Sequence, residues 1–198
     1  PYGHSKLMVE QVLKDCAHSD DLKSISLRYF NAAGADPELR AGERHDPETH
    51  LIPLVLEEAL RLKQGGDPAD TRLQVFGTDF ETPDGTCIRD YIHVSDLCRA
   101  HVLAGERLLN GKSANGAEYY NLGNGLGYSV LEIIEACRNV TGQQITFREM
   151  SRRAGDPAEL VGDAHYAAEK LDWSPNYIEL ESIIQTAWGW MLRRDQLN

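Results

Sequence analysis

Tyr2 and Lys6 stand four residues apart in the opening stretch Pro1-Tyr2-Gly3-His4-Ser5-Lys6. On a helix that spacing is about one turn, so the two side chains share a face. An ammonium ~5 Å from a phenol, at an effective dielectric of about 20, contributes ~3 kcal/mol of phenolate stabilisation. A phenol drawn down toward neutrality in this way is a general base or acid. Taken alone, the pair also suits any surface helix, so its chemistry has to be supported by the rest of the chain.

Apolar residues at Leu7, Met8, Val12 and Leu13 continue the helix that carries the pair. Ser24 to Phe30 alternates and predicts a strand, and Asn31 to His50, rich in Gly, Pro, Asp and Glu, predicts a long loop. Leu51 to Leu62 predicts an amphipathic helix with Pro53 in its first turn, where a missing N–H costs little. Arg72 to Phe76 and Thr86 to Val94 read as extended, and Ser95 or Asp96 as the cap of a helix reaching Leu109. Glu118 to Leu122 reads as a strand that runs into Gly123-Asn124-Gly125-Leu126-Gly127. Ser129 and Glu132 then form a capping-box signature for a helix to Val140. A strand at Ile145 to Glu149 and helices at Asp163 to Leu171 and Glu179 to Leu192 complete an alternating α/β pattern. The spacing of the three glycines is GxGxG, not the GxGxxG of a dinucleotide loop, and predicts a tight turn beside a ligand or another backbone.

With 198 residues the chain is long enough for one domain with a proper core, or one and a half. A formal net charge of −11 argues against a nucleic-acid or anionic-membrane surface. Cys16, Cys87, Cys98 and Cys137 are scattered without a CxxC, which predicts neither a disulfide framework nor a zinc site and fits a reducing, cytoplasmic setting. The six histidines other than His50 show no ligand pattern and read as structural or exposed, and no metal is expected. No apolar run approaches the ~18 residues of a membrane span.

Several segments carry a resemblance. Tyr2-Gly3-His4-Ser5-Lys6 is similar to the YxxxK of the extended short-chain dehydrogenase/reductases, and Leu27-Arg28-Tyr29-Phe30-Asn31 to that superfamily's strand into the substrate pocket. The run Phe76 to Val94, with Thr-Pro-Asp-Gly-Thr-Cys-Ile-Arg-Asp-Tyr-Ile-His-Val at its end, and Arg152-Arg153-Ala154-Gly155-Asp156-Pro157 resemble the epimerase branch, the UDP-glucose 4-epimerases. The likeness runs over nearly the whole chain.

The resemblance implies an α/β fold: the C-terminal part of an NAD-binding Rossmann protein with a smaller mixed α/β substrate-binding domain. Residues 1–30 would be the last helix and strand region of a truncated Rossmann domain. Residues 31–198 would be mainly the nucleotide-sugar domain, with some segments returning to the Rossmann sheet. It implies NAD as cofactor, UDP-glucose and UDP-galactose as partners, and a homodimer built through the YxxxK helix. Tyr2 would be the base, and Lys6 would hold it ionised and hydrogen-bond the nicotinamide ribose. Phe30 would lie against the cofactor. Asn31 would touch the diphosphate or sugar, and His50 and Leu51 would line the pocket. Gln74, Val75 and Phe76 would hold the uracil, and Tyr91 would neighbour Arg89. Arg89 and Arg153 would clamp the diphosphate, since guanidinium forks suit phosphate oxygens. Asp156 would take ribose hydroxyls, and Leu160 would shape the hexose side.

The Gly-rich turn and the Ser or Thr that partner the Tyr in this superfamily are not in the sequence, so the chain alone is expected not to turn over. Leu160 lies between the bulky and small residues that separate hexose from N-acetylhexosamine sites, and His50 stands where other members carry Asn. A UDP-N-acetylglucosamine or UDP-pentose 4-epimerase, a nucleotide-sugar 4,6-dehydratase and a non-catalytic nucleotide-sugar-binding module remain alternatives.

Overall fold

The computed structural model describes the backbone of residues 2–113 and 116–196, and side chains for 3–113 and 116–195. Helix α1 (Tyr2–Ser19) leads into strand β1 (Ser24–Tyr29), which pairs in parallel with β5 (Ala117–Leu122), from Ser24 opposite Ala117 to Tyr29 opposite Leu122. Parallel neighbours need a long crossover, and here most of the chain between the two strands supplies it. Helix α3 (Val94–Leu109) and helix α5 (His165–Leu171) pack on this pair over a core of Ile92, Leu97, Tyr120, Leu122 and Trp173. The Trp173 indole N–H donates to the carbonyl of Asp96 at 3.0 Å, which satisfies its polar edge inside that core.

A second core lies between helices α2 (Leu51–Lys63), α4 (Val130–Thr141) and α6 (Leu180–Gln196). Ile52, Val55, Leu56, Ile133, Ile134, Ile183 and Ile184 are almost fully buried there. Burying one such side chain contributes roughly 1.5–3 kcal/mol, so the cluster is a large source of stability for the elements it joins. Strands β2 (Asn31–Ala33), β4 (Ile88–His93) and β6 (Gly127–Ser129) form a small mixed sheet, with β8 (Glu159–Leu160) also on β4. Strand β3 (Gln74–Phe76) pairs in parallel with β7 (Arg148–Met150).

The capping box is formed as the sequence predicts: Ser129 Oγ accepts from the Glu132 amide at 3.1 Å, and Glu132 accepts from the Ser129 amide at 2.7 Å. Several boundaries differ from expectation. The predicted loop 31–50 contains β2, whose short Asn-Ala-Ala run has no strand pattern of its own and is extended because β4 offers it an edge, Asn31 opposite Tyr91. Strand β7 begins at Arg148, because Ile145 is fully buried in the helical core and its carbonyl accepts from Arg138 at 3.0 Å instead of joining a ladder. Helix α5 starts at His165, after Asp163 has accepted from the His165 amide.

The cap of α3 is His93, neither Ser95 nor Asp96. Its Nδ1 accepts from the Ser95 amide at 3.1 Å, while Asp96 is buried and accepts from the amides of Asn176 and Tyr177. His93 is fully buried, stacks on Tyr177 with ring centroids 3.8 Å apart, and meets Thr186 Oγ1 through Nε2 at 3.0 Å. Burial lowers its pKa against the opposing pull of Asp96. The unfolded chain therefore binds a proton below about 6.5 that the native state refuses. The stability associated with neutral His93 is present above that pH and is lost as pH falls toward the depressed native value. His93→Asn keeps a good capping residue and removes the titration. Chemical denaturation between pH 5 and 6.5 is expected to give a shallower loss of stability in the variant, by up to about 1.4 kcal/mol per pH unit. Equal slopes would show that His93 does not refuse the proton.

Candidate functional site

A cleft of about 810 Å³ opens between β2, the start of α2, β3, β4 and the loop at residues 153–156. Its size falls in the range of small-molecule sites, roughly 300–1,000 Å³. Asn31 enters at the first position of β2, where its side-chain amide donates to the Asp90 carbonyl at 2.8 Å. His50 and Leu51 stand at the start of α2, and the β3 residues Gln74, Val75 and Phe76 form another wall. Alternation along β3 sends Val75 into the core and leaves Gln74 exposed. Tyr91 is almost fully buried on β4, and burial drives its phenol pKa far up, so it is a neutral wall and not a base.

The charge of the cleft is arranged in pairs. Arg89 donates to the Asp156 carboxylate and to the carbonyls of Ile88 and Pro157, at 2.6 and 2.8 Å. The guanidinium of Arg153 lies over the Phe76 ring, 4.1 Å from its centroid. Arg61 forks onto buried Glu58 at 2.7 and 3.0 Å. Burial works to raise Glu58, and the bonds from Arg61 and Thr71 outweigh it and hold the carboxyl below its usual range. Glu57 is raised by burial and then by the nearby charge of Glu48, and the opposing pull of Arg194 does not outweigh them.

The fold thus brings into one cleft Asn31, His50, Leu51, Gln74, Val75, Phe76, Arg89, Tyr91, Arg153 and Asp156. Leu160 is not with them. It is half exposed on β8, in register with Arg89. Phe30 also lies outside the cleft, just past the carboxyl end of β1, with its ring in the space that a Cβ on Gly162 would enter at 2.5 Å. Tyr2 and Lys6 are one turn apart in α1, but the side chain of Tyr2 is outside the described residues. Helix α1 is held on the β1–β5 pair by the Arg28–Glu10 fork and by Tyr119, whose hydroxyl donates to the Glu10 carbonyl at 3.2 Å. Cleft-lining residues that the sequence reading did not single out include Glu48, Glu57, Glu58, Arg61, Arg72 and Cys87. Helical spacing places Glu57 and Arg61 on one face of α2. Nothing in the local pattern distinguishes them from an ordinary solvated face.

The Gly123–Gly127 turn is structural. Asp90 is fully buried, and its carboxylate accepts from the amides of Asn124, Gly125 and Gly162 at 2.9, 3.2 and 3.0 Å. A Cβ on Gly123 would overlap that carboxylate. The amides that a phosphate would need are already used. No helix among the described residues is long and apolar enough to cross a membrane.

Parallel strand pairs, a helix bearing Tyr and Lys one turn apart, and an arginine-bearing cleft make this an α/β protein of the form that the resemblance to the extended short-chain dehydrogenase/reductases implies. Residues 1–123 match the model of the NAD dependent epimerase/dehydratase family, and the chain belongs to that family. It is 48% identical over 191 residues to a UDP-glucose 4-epimerase of Halalkalibacterium halodurans, covering 96% of this chain and 54% of the relative. A crystal structure of UDP-glucose 4-epimerase from Brucella ovis in complex with NAD superposes with a TM-score of 0.83 at 49% identity, over 96% of this chain and 55% of that one. A UDP-glucose-4-epimerase from Stenotrophomonas maltophila with bound NAD and formylated UDP-arabinopyranose gives 0.88 at 39% identity, over 100% of this chain and 56% of that one. The chain spans about half the length of the curated relatives it matches.

Proposed function

We propose that the complete protein carrying this chain interconverts UDP-galactose and UDP-glucose, a step of galactose metabolism, as a cytoplasmic, NAD-dependent homodimer. The observation that carries the reading is the convergence in one cleft of Asn31, the His50–Leu51 pair, β3, Arg89, Arg153 and Asp156, drawn from separate segments. Its chemistry suits a nucleotide diphosphate: guanidinium forks for phosphate oxygens, an aromatic face at Phe76, and a carboxylate for ribose hydroxyls.

The residues present fit the cofactor. Ligands of parallel α/β sheets bind outside the carboxyl ends of the strands. Phe30 occupies that place on β1, close against Gly162, where a side chain would displace its ring. When bound, NAD supplies reversible oxidation at C4 of the hexose. Tyr2, as phenolate, takes the proton of the 4-hydroxyl and later returns it. Lys6 keeps Tyr2 ionised and holds the nicotinamide ribose. Asn31, Arg89 and Arg153 hold the diphosphate, and β3 holds the uracil. The hexose, gripped by few groups, is free to present either face. The exposed stripe of Leu7, Met8, Val9 and Val12 on α1 supports pairing of two copies through that helix.

The test is chromatography of nucleotide sugars after the complete protein is incubated with UDP-galactose and no added NAD. UDP-glucose is the expected product. Its absence from folded, NAD-loaded protein, with turnover of an N-acetylated or pentose nucleotide sugar instead, would replace the substrate assignment. The exposed position of Leu160 outside the cleft and the pentose nucleotide in the Stenotrophomonas structure favour that as the second reading.

A further inference from the structure

The loop between β2 and α2 carries Glu43, His45, Glu48 and His50, and one donor atom from each lies within 4.8 Å of all the others. His45 Nδ1 is 2.8 Å from Glu43 Oε1 and 3.6 Å from Glu48 Oε2. His50 Nδ1 is 3.0 Å from the same Glu43 oxygen and 2.9 Å from Glu48 Oε1. Four ligands about 2.0–2.1 Å from a tetrahedral ion are separated by roughly 3.3 Å; three of the four spacings here are hydrogen-bond lengths of 2.8–3.0 Å, so an ion would enter in place of those contacts with the donors moving apart by a few tenths of an ångström. Two imidazoles and two carboxylates are the nitrogen and oxygen donors that a divalent transition-metal ion takes.

The arrangement is held by contacts outside the cluster. The Glu43 carbonyl accepts from the Trp190 indole on α6 at 3.1 Å. The Glu48 side chain is only 6% exposed, and its Oε1 is fixed by the amides of Thr49 and His50 at 2.7 and 2.9 Å. His50 is rooted in the first turn of α2, where its carbonyl accepts from the Leu54 amide at 3.1 Å. Such outer contacts are what fix ligands before an ion arrives.

We propose that Glu43, His45, Glu48 and His50 form a binding site for a divalent transition-metal ion, with zinc the fitting one, on the rim of the cleft. The two imidazole donors select zinc, cobalt or nickel over magnesium and calcium, which take oxygen ligands. The site shares Glu48 and His50 with the cleft but does not rest on which nucleotide sugar the protein converts, and it departs from the sequence reading, which expects no metal. Glu-x-His-x-x-Glu-x-His is the signal that spacing alone could have offered.

Calorimetric titration of the complete protein, stripped with a chelator, with zinc alone is expected to show one equivalent bound. Cobalt in its place is expected to give the visible absorption of a four-coordinate nitrogen–oxygen site. His45→Ala and Glu43→Gln, each checked for native circular dichroism, are expected to lower zinc affinity at least about tenfold, since losing even an outer partner of a ligand costs that much. His18→Ala, on the exposed face of α1, should leave it unchanged. Absence of stoichiometric zinc binding by the folded wild-type protein would overturn the proposal, as would unchanged affinity in both site variants, and the four groups would then be an ion-pair cluster only.

Discussion

Replacing Tyr2 by Phe in the complete protein is expected to lower kcat for UDP-galactose by roughly 10²–10⁴-fold, the usual contribution of a positioned proton acceptor. The variant keeps the ring and loses only the hydroxyl, so binding of the nucleotide sugar, read from KM or direct titration, should change little. A fall in kcat and kcat/KM together is the mark of an interaction made in the transition state. Lys6→Met provides the electrostatic half of the test. With the ammonium gone, the phenol ionises at higher pH, and the rise of activity with pH should move upward. Near-normal kcat in Tyr2→Phe would remove Tyr2 from its role, and an unchanged pH profile in Lys6→Met would remove the charge coupling between the two.

Asp90→Ala is expected to destabilise the protein by about 3–5 kcal/mol, because it strands amides that the fold has already desolvated. The carboxylate is fully buried and joins β4 to the Gly123–Gly127 turn and to Gly162, on which Phe30 rests. Burial raises its pKa, and the amides of Asn124, Gly162 and Gly125 pull the other way. Against a total stability of roughly 5–15 kcal/mol, the loss would be visible as a large drop in the urea midpoint. Asp90→Asn should fall between, at about 1 kcal/mol or more, because its NH₂ would face a backbone N–H. A loss below ~1 kcal/mol in the Ala variant would show that water or a local shift satisfies these amides.

Elements with strong local signals were legible before the fold. Helix α2 begins at Leu51 with Pro53 in its first turn, and the Ser129–Glu132 box opens α4, because caps and periodicity act within a few residues. Strand β2 was not legible, since three residues of Asn and Ala become a strand only when β4 lies alongside them. The true cap of α3 was hidden for a related reason. His93 caps the helix because the Thr186 hydroxyl and the Tyr177 ring, more than eighty residues away in sequence, hold it in place.

By itself the sequence determined the α/β class, the spacing of Tyr2 and Lys6, and the family, because these depend on local periodicity and on motifs read along the chain. The tertiary structure alone decided that Arg89 is paired with Asp156, that Arg153 covers Phe76, and that Leu160 stands outside the cleft. It also decided that the glycine turn spends its amides on Asp90 and that two histidines converge on two carboxylates. Those are relations between side chains brought together by β4 and by the three-helix core, and no short window of sequence contains both partners and the packing that aims them.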